Sequence, residues 1–160
     1  HRDLHSFPTR RSSDLPTIDA VKRFIPGHNR IEKNLVRRVM RVLDDGAGIY
    51  CHAGHHEEVR GNVVSEVGGH AGMGLYFDDE QMDSVMEGNL VFGCPGHDEP
   101  GTWSAAVHFH HNGRNRLVGN VLVGGRQLLS MPNGYGGHLI EGNILVWGGE
   151  PNWEIGRAHV

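Results

Sequence analysis

Short apolar segments recur along this chain, and a Gly-Asn pair breaks each of them at the same place. The copies are Val59-Arg60-Gly61-Asn62-Val63-Val64, Met86-Glu87-Gly88-Asn89-Leu90-Val91, Leu117-Val118-Gly119-Asn120-Val121-Leu122 and Ile140-Glu141-Gly142-Asn143-Ile144-Leu145. A weaker copy, Ile31-Glu32-Lys33-Asn34-Leu35-Val36, precedes them. From Asn34 to Asn143 the steps are 28, 27, 31 and 23 residues. A second apolar strand runs in phase with the first. Ile49, Leu75, Val107 and Leu129 lie 13 or 14 residues before Asn62, Asn89, Asn120 and Asn143. Two registers at one period predict stacked repeats. Each unit reads as strand, turn, strand, turn. That is too short for a strand-helix-strand unit of ~30 or more residues plus loops, and helix-length apolar periodicity is absent. The predicted fold is therefore all-β: a single-stranded parallel β-helix, a solenoid of about five rungs with strands ~4.8 Å apart.

The asparagine has a physical reason to recur. Asn tolerates left-handed backbone angles at a tight corner and bonds local backbone groups. Stacked on the Asn of the next rung, it is expected to form an amide ladder inside the coil. The preceding Gly relieves crowding at the bend.

The two ends do not share the repeat. His5 to Leu15 and Glu154 to Val160 resemble translations of the adapter oligonucleotides of a short-read sequencing platform. Residues 1–15 and 154–160 are therefore read as non-native tails. The expectation is a β-helix domain over 16–153, truncated at both ends. Without the tails, the 15 Lys/Arg and 19 Asp/Glu of the chain fall to 11 and 16, and ten His remain. An acidic solenoid is a poor partner for nucleic acid or an anionic membrane surface. No run of ~18 apolar residues is present to span a bilayer. Cys51 and Cys94 are too few for a disulfide scaffold, and Cys51 falls on the apolar phase of its strand. One unit swells between Asn89 and Val107, with Cys94 to Trp103 forming a loop expected on the binding face.

Aligning the first strands of four rungs generates a surface. Alternate side chains point to opposite faces. Ile49, Leu75, Val107 and Leu129 then form one inward column, and Cys51, Phe77, Phe109 and Met131 the next. The outward columns are Tyr50, Tyr76, His108, Ser130 and His52, Asp78, His110, Pro132. A plain solvated face carries Lys, Glu, Thr and Ser, whereas this one carries two Tyr, three His and an Asp. Asp79, His111 and Asn112 follow at the corner, and Asp44-Asp45 lie just ahead of the first strand. Titratable groups packed at rung spacing shift one another's proton affinity, as acid-base sites require.

These residues also carry a resemblance. Asp45-Gly46-Ala47-Gly48-Ile49-Tyr50 resembles the D-G-G-A-I-Y segment of right-handed parallel β-helix proteins of the pectate-lyase-like superfamily. Gly74-Leu75-Tyr76-Phe77-Asp78-Asp79 resembles their G-I-Y-L-D-D/E segment. His110-His111-Asn112-Gly113-Arg114-Asn115 resembles H-H-Y-G-R-E-N, with Asn112 replacing the aromatic and the acid before the last Asn missing. The resemblance implies a right-handed coil and a secreted or periplasmic, carbohydrate-directed protein. Similar segments occur in members grouped with glycoside hydrolases.

Three functions are carried forward, each with a polysaccharide or oligosaccharide as partner. In the first, a glycoside hydrolase, paired carboxylates act. Asp78 is the nucleophile or base, Asp45 or Asp79 is the partner acid, and His108, His110 and Tyr76 orient the sugar. Asp78 and Asp79 can share the cleft only if the strand ends at Asp78. In the second, a lyase or epimerase, Tyr76, His108 or His110 serves as base and Arg114 neutralises the uronate. In the third, a non-catalytic adhesion or binding β-helix, Tyr50, Tyr76 and Trp103 stack on sugar rings. His52 and His111 complete the expected substrate-binding set. No cofactor is required. Calcium on Asp44, Asp45, Asp78 and Asp79 and zinc on His52, Asp78 and His110 are the metal alternatives.

Overall fold

The computed structural model describes residues 27–69, 71–94, 104–124, 127–132 and 135–148. The adapter-like tails and Trp103 lie outside these residues, as does most of the inserted loop. Strands β1 (Arg30–Glu32), β2 (Leu35–Arg37) and β3 (Gly46–Cys51) make the first turn of a coil. The second turn is β4 (Glu58–Arg60), β5 (Val63–Ser65) and β6 (Gly72–Phe77). The third is β7 (Val85–Glu87), β8 (Leu90–Phe92) and β9 (Val107–Phe109). The fourth is β10 (Arg116–Val118), β11 (Val121–Val123) and β12 (Leu129–Ser130), followed by β13 (Leu139–Glu141) and β14 (Ile144–Val146). The described residues are thus an all-β parallel solenoid of about four turns, without a helix.

Each turn has three strands, not the two expected. The orders are β1-β4-β7-β10-β13, β2-β5-β8-β11-β14 and β3-β6-β9-β12. The Gly-Asn pair is the corner between the first two sheets, and strands of three residues are too short to show alternation. Three inward columns fill the coil. Ile31, Val59, Met86, Leu117 and Ile140 are in register in the first sheet. Val36, Val64, Val91, Leu122 and Leu145 align in the second. Ile49, Leu75, Val107 and Leu129 align in the third, as the apolar pattern requires. Phe77 stacks on Phe109 with ring centres 5.8 Å apart, and Cys51 packs against the same core.

The asparagine ladder is present and directional. The backbone N–H and Nδ2 of Asn34 both donate to Oδ1 of Asn62, each at 3.0 Å. Asn62 does the same to Asn89, Asn89 to Asn120 and Asn120 to Asn143. The Nδ2 of Asn62, Asn89, Asn120 and Asn143 also donates back to a carbonyl one rung earlier: Ile31, Val59, Met86 and Leu117 in turn. Such buried amides are tolerable because every donor and acceptor is matched.

The left-handed residue of the corner is the one before the Asn. Gly61, Gly88, Gly119 and Gly142 have φ of 58–64°, and a Cβ on Gly88 or Gly119 would meet nothing within 4 Å. These glycines are there for backbone angle, not space. In the weaker copy Lys33 takes φ 55° with an ordinary side chain. Lys33→Gly is therefore expected to stabilise the protein by about 0.5–1 kcal/mol, read from the urea midpoint, because the left-handed penalty exceeds the added chain entropy. A destabilised variant would show that the corner imposes no such penalty.

Candidate functional site

The outer faces of the first and third sheets differ in chemistry. The first carries an ordinary charged ladder. Arg30 pairs with Glu58 at 2.8 Å, and Arg60 bonds Glu58 at 3.3 Å and also Glu87. Exposed pairs of this kind contribute only ~0–1 kcal/mol each. The third sheet carries Tyr50, Tyr76, His108 and Ser130 in strict register. Tyr50 meets Tyr76 edge-on at 5.0 Å, and Tyr76 meets His108 at 4.8 Å.

This face was expected to line an open cleft, but much of it is covered. Tyr76, His108 and Ser130 are buried, while Tyr50 is 45 % exposed. Strand alternation fixes which side of the sheet a residue takes. It does not say what lies over that side.

The chemistry concentrates where β6 and β9 end. Asp78 is buried, and its carboxylate accepts on both oxygens. Tyr50 Oη donates to Oδ2 at 2.5 Å, and His110 Nδ1 lies 3.0 Å from Oδ1. Tyr76 donates to the same carboxylate. His110 Nδ1 is also 3.2 Å from Asp79 Oδ1, and His111 Nδ1 is 3.1 Å from that oxygen. The two imidazole rings lie 3.9 Å apart. Asp78 and Asp79 reach one nitrogen because β6 ends at Phe77, one residue before the expected Asp78, so alternation lapses at the pair.

Burial alone would raise the pKa of Asp78. Hydrogen bonds from Tyr50, the Asp79 backbone, His110 and Tyr76 outweigh it and hold the carboxyl below its usual range. Asp78 is thus an anion at neutral pH, and the His110 Nδ1–H must donate to it, leaving Nε2 as the basic atom. Burial and the adjacent Asp78 push both Tyr50 and Tyr76 upward, so the phenols stay protonated donors and not bases. Burial, reinforced by His110, pushes His108 down to about 4, against the pull of Asp78.

Other expected participants lie elsewhere. His52 stacks toward Tyr50, with ring centres 6.2 Å apart. Asp45, at φ 56°, faces the tyrosines electrostatically. Arg114, the cation expected to neutralise a uronate, is held by Asp83 in a two-pronged pair of 2.7 and 2.6 Å.

Behind the site is a buried polar network that the repeat did not reveal. Gln81 Nε2 donates to Ser84 Oγ at 2.6 Å and its Oε1 accepts from Gly54 N at 2.9 Å. Asn115 bonds Ser84, Gln81 and Asn112, and Asn112 reaches the Phe77 carbonyl. It fixes the turns that carry Asp79 and His111. Its one sequence signal is two pairs of polar residues three apart, Gln81/Ser84 and Asn112/Asn115.

Among the described residues two groups of three or more side chains have metal-ligand spacing: Asp79, His110, His111 and His28, His55, His56. Neither is the expected calcium set of Asp44, Asp45, Asp78 and Asp79, nor the expected zinc set of His52, Asp78 and His110. Comparison with protein-family models, curated proteins and solved structures gives no match.

Both ring nitrogens of His108 are buried without a hydrogen-bond partner. The folded state resists protonating it, whereas the unfolded chain takes a proton near pH 6.5. Its contribution is therefore full above pH 6.5 and is lost as pH falls toward 4, by on the order of 2–3 kcal/mol. His108→Phe is expected to be as stable as wild type at pH 7.5 and to lose less stability at pH 4.5, measured by urea unfolding. Equal losses in both proteins would remove His108 as the source.

Proposed function

We propose that this protein cleaves a polysaccharide at the Asp78–Asp79–His110–His111 corner, by glycoside hydrolysis. The reading rests on one observation: His110 Nδ1 is shared by a buried carboxylate and a half-exposed one. In this reading Asp78 is a positioning residue, since both its oxygens are engaged. It fixes His110 at Nδ1 so that the doubly protonated ring gives its Nε2 proton to the leaving oxygen while water attacks the anomeric carbon. Asp79, the accessible carboxylate, meets the positive charge that develops at the anomeric carbon. Tyr50 is the exposed ring against which a sugar can stack. His111 holds Asp79. The sequence resemblance to the pectate-lyase-like superfamily supports a carbohydrate substrate and a secreted or periplasmic setting.

β-Elimination is the second reading, because the same Nε2 can remove a proton beside a uronate. It is less favoured, since Arg114, its expected neutralising cation, is engaged by Asp83. The test is a panel of neutral and acidic polysaccharides. Reducing ends without ultraviolet absorbance support hydrolysis, and unsaturated uronides support elimination. Sugar binding without turnover would replace both with the adhesion reading. His110→Ala is expected to abolish product with the circular dichroism unchanged; turnover that survives it sinks the assignment.

A further inference from the structure

A second histidine cluster lies at the same type of corner, two turns from the one above. His28, His55 and His56 place one ligand atom each within 4.8 Å of one another. Their ring centres are 5.3 Å (His28–His55), 4.9 Å (His28–His56) and 5.2 Å (His55–His56) apart. We propose that these three imidazoles form a binding site for a divalent late transition-metal ion of the zinc class, with one coordination position left to solvent.

The fold prepares this arrangement. His28 and His56 occupy equivalent corner positions of successive turns, both left-handed at φ 62° and 55°. The backbone N–H of His28 donates to the His55 carbonyl at 3.0 Å, which locks the two turns in register. Stacked equivalents are ~4.8 Å apart, so the two rings are neighbours by construction. His55 pairs across the turn with Gly27, which has no side chain. A Cβ there would sit 2.6 Å from His55 Cε1 and Nδ1, so the ring occupies the space that glycine leaves.

The neighbouring bonds preorganise the group. Glu57, next to His56, is buried and accepts from Asn29 N at 3.0 Å and Asn29 Nδ2 at 2.9 Å. That clamp ties the turn bearing His55-His56 to the turn bearing His28. His56 Nδ1 lies 3.2 Å from the Asp83 carbonyl oxygen. A carbonyl can only accept, so Nδ1 carries the hydrogen and Nε2 presents its lone pair. Metal-binding imidazoles are commonly fixed in this way.

The chemistry selects the class of ion. Neutral imidazoles suit zinc, copper and nickel, and oxygen-seeking calcium or magnesium poorly. With Zn–N of ~2.0–2.1 Å, tetrahedral ligand atoms lie about 3.4 Å apart. Rotation of two exposed rings, His28 and His56, closes the difference. Their exposure also leaves a side of the ion open.

The experiment uses the whole chain with no affinity tag, titrated with Zn²⁺ against a chromophoric chelator and with Co²⁺ by visible absorption. Wild type is expected to bind one equivalent at this site, with the intense Co²⁺ bands of a tetrahedral centre. The His28→Asn/His56→Asn pair keeps residues that tolerate the left-handed corner. It is expected to lower affinity at least 100-fold with circular dichroism unchanged. The Asp79→Asn/His110→Ala/His111→Ala protein is expected to retain the site. No wild-type binding tighter than millimolar, or affinity unchanged in the paired variant, overturns the proposal. Binding lost in the triple variant and kept in the paired one moves the ion to the other corner and equally overturns it.

Discussion

Asn89→Asp, a change of one atom, is expected to destroy the cooperative fold. Asn89 is buried at the middle of the ladder. Its Nδ2 donates to Val59 O and to Asn120 Oδ1, both at 2.9 Å. An aspartate keeps the acceptor that Asn62 needs, but sets an oxygen against two buried acceptors. Each orphaned group costs ~1–3 kcal/mol. A carboxylate there is either ionised without a cation or must take up a proton, which adds several kcal/mol more. The total, on the order of 5 kcal/mol, rivals a typical domain stability of ~5–15 kcal/mol. Urea unfolding followed by circular dichroism is expected to show no native baseline. Asn143→Asp, at the partly exposed end of the ladder, is expected to cost about 1–2 kcal/mol, because water can reach the orphaned groups there. A central variant within ~1 kcal/mol of wild type would show that the ladder aligns rungs without stabilising them.

Asp78→Asn is expected to reduce kcat by ~10³–10⁴, with a much smaller change in KM, if His110 is the proton carrier. The wild-type carboxylate can only accept, so it selects the Nδ1–H form of His110. An asparagine that still accepts from Tyr50 must turn its amide hydrogens toward His110. The imidazole then accepts at Nδ1, so the doubly protonated ring that gives its Nε2 proton to the leaving oxygen loses the anion that stabilises it, and losses of this size follow from that change. The stability of the two proteins should also differ in acid. The folded pKa of Asp78 lies below its unfolded value of ~3.9. Its contribution is present above that value and lost as pH falls through the depressed one. The variant lacks this part of the acid transition. A variant with near-normal kcat and the expected loss of acid sensitivity would leave Asp78 a structural anion only.

Sequence by itself determined the coil and its contents. A stacked fold forces equivalent residues of successive turns into contact, so a period becomes a geometry. That is why the Asn ladder, the inward Ile49–Leu75–Val107–Leu129 column and the Tyr50–Tyr76–His108 column could be read from spacing. The count of strands per turn could not, because three-residue strands such as β1 and β2 carry no visible alternation. Nor could the left-handed residue be assigned to Gly88 in place of Asn89, since both types suit a corner. The site was legible as a set of columns but not as bonds. Where β6 stops, alternation stops with it, and only the backbone path decides that Asp78 and Asp79 both reach His110. The corner also gives Arg114 to Asp83, and it adds His55 to His28 and His56, a pair one turn apart that lies outside the aligned strands. Burial of Tyr76 and His108 is likewise tertiary, because a strand's pattern specifies the side a residue faces and leaves open what is packed over it.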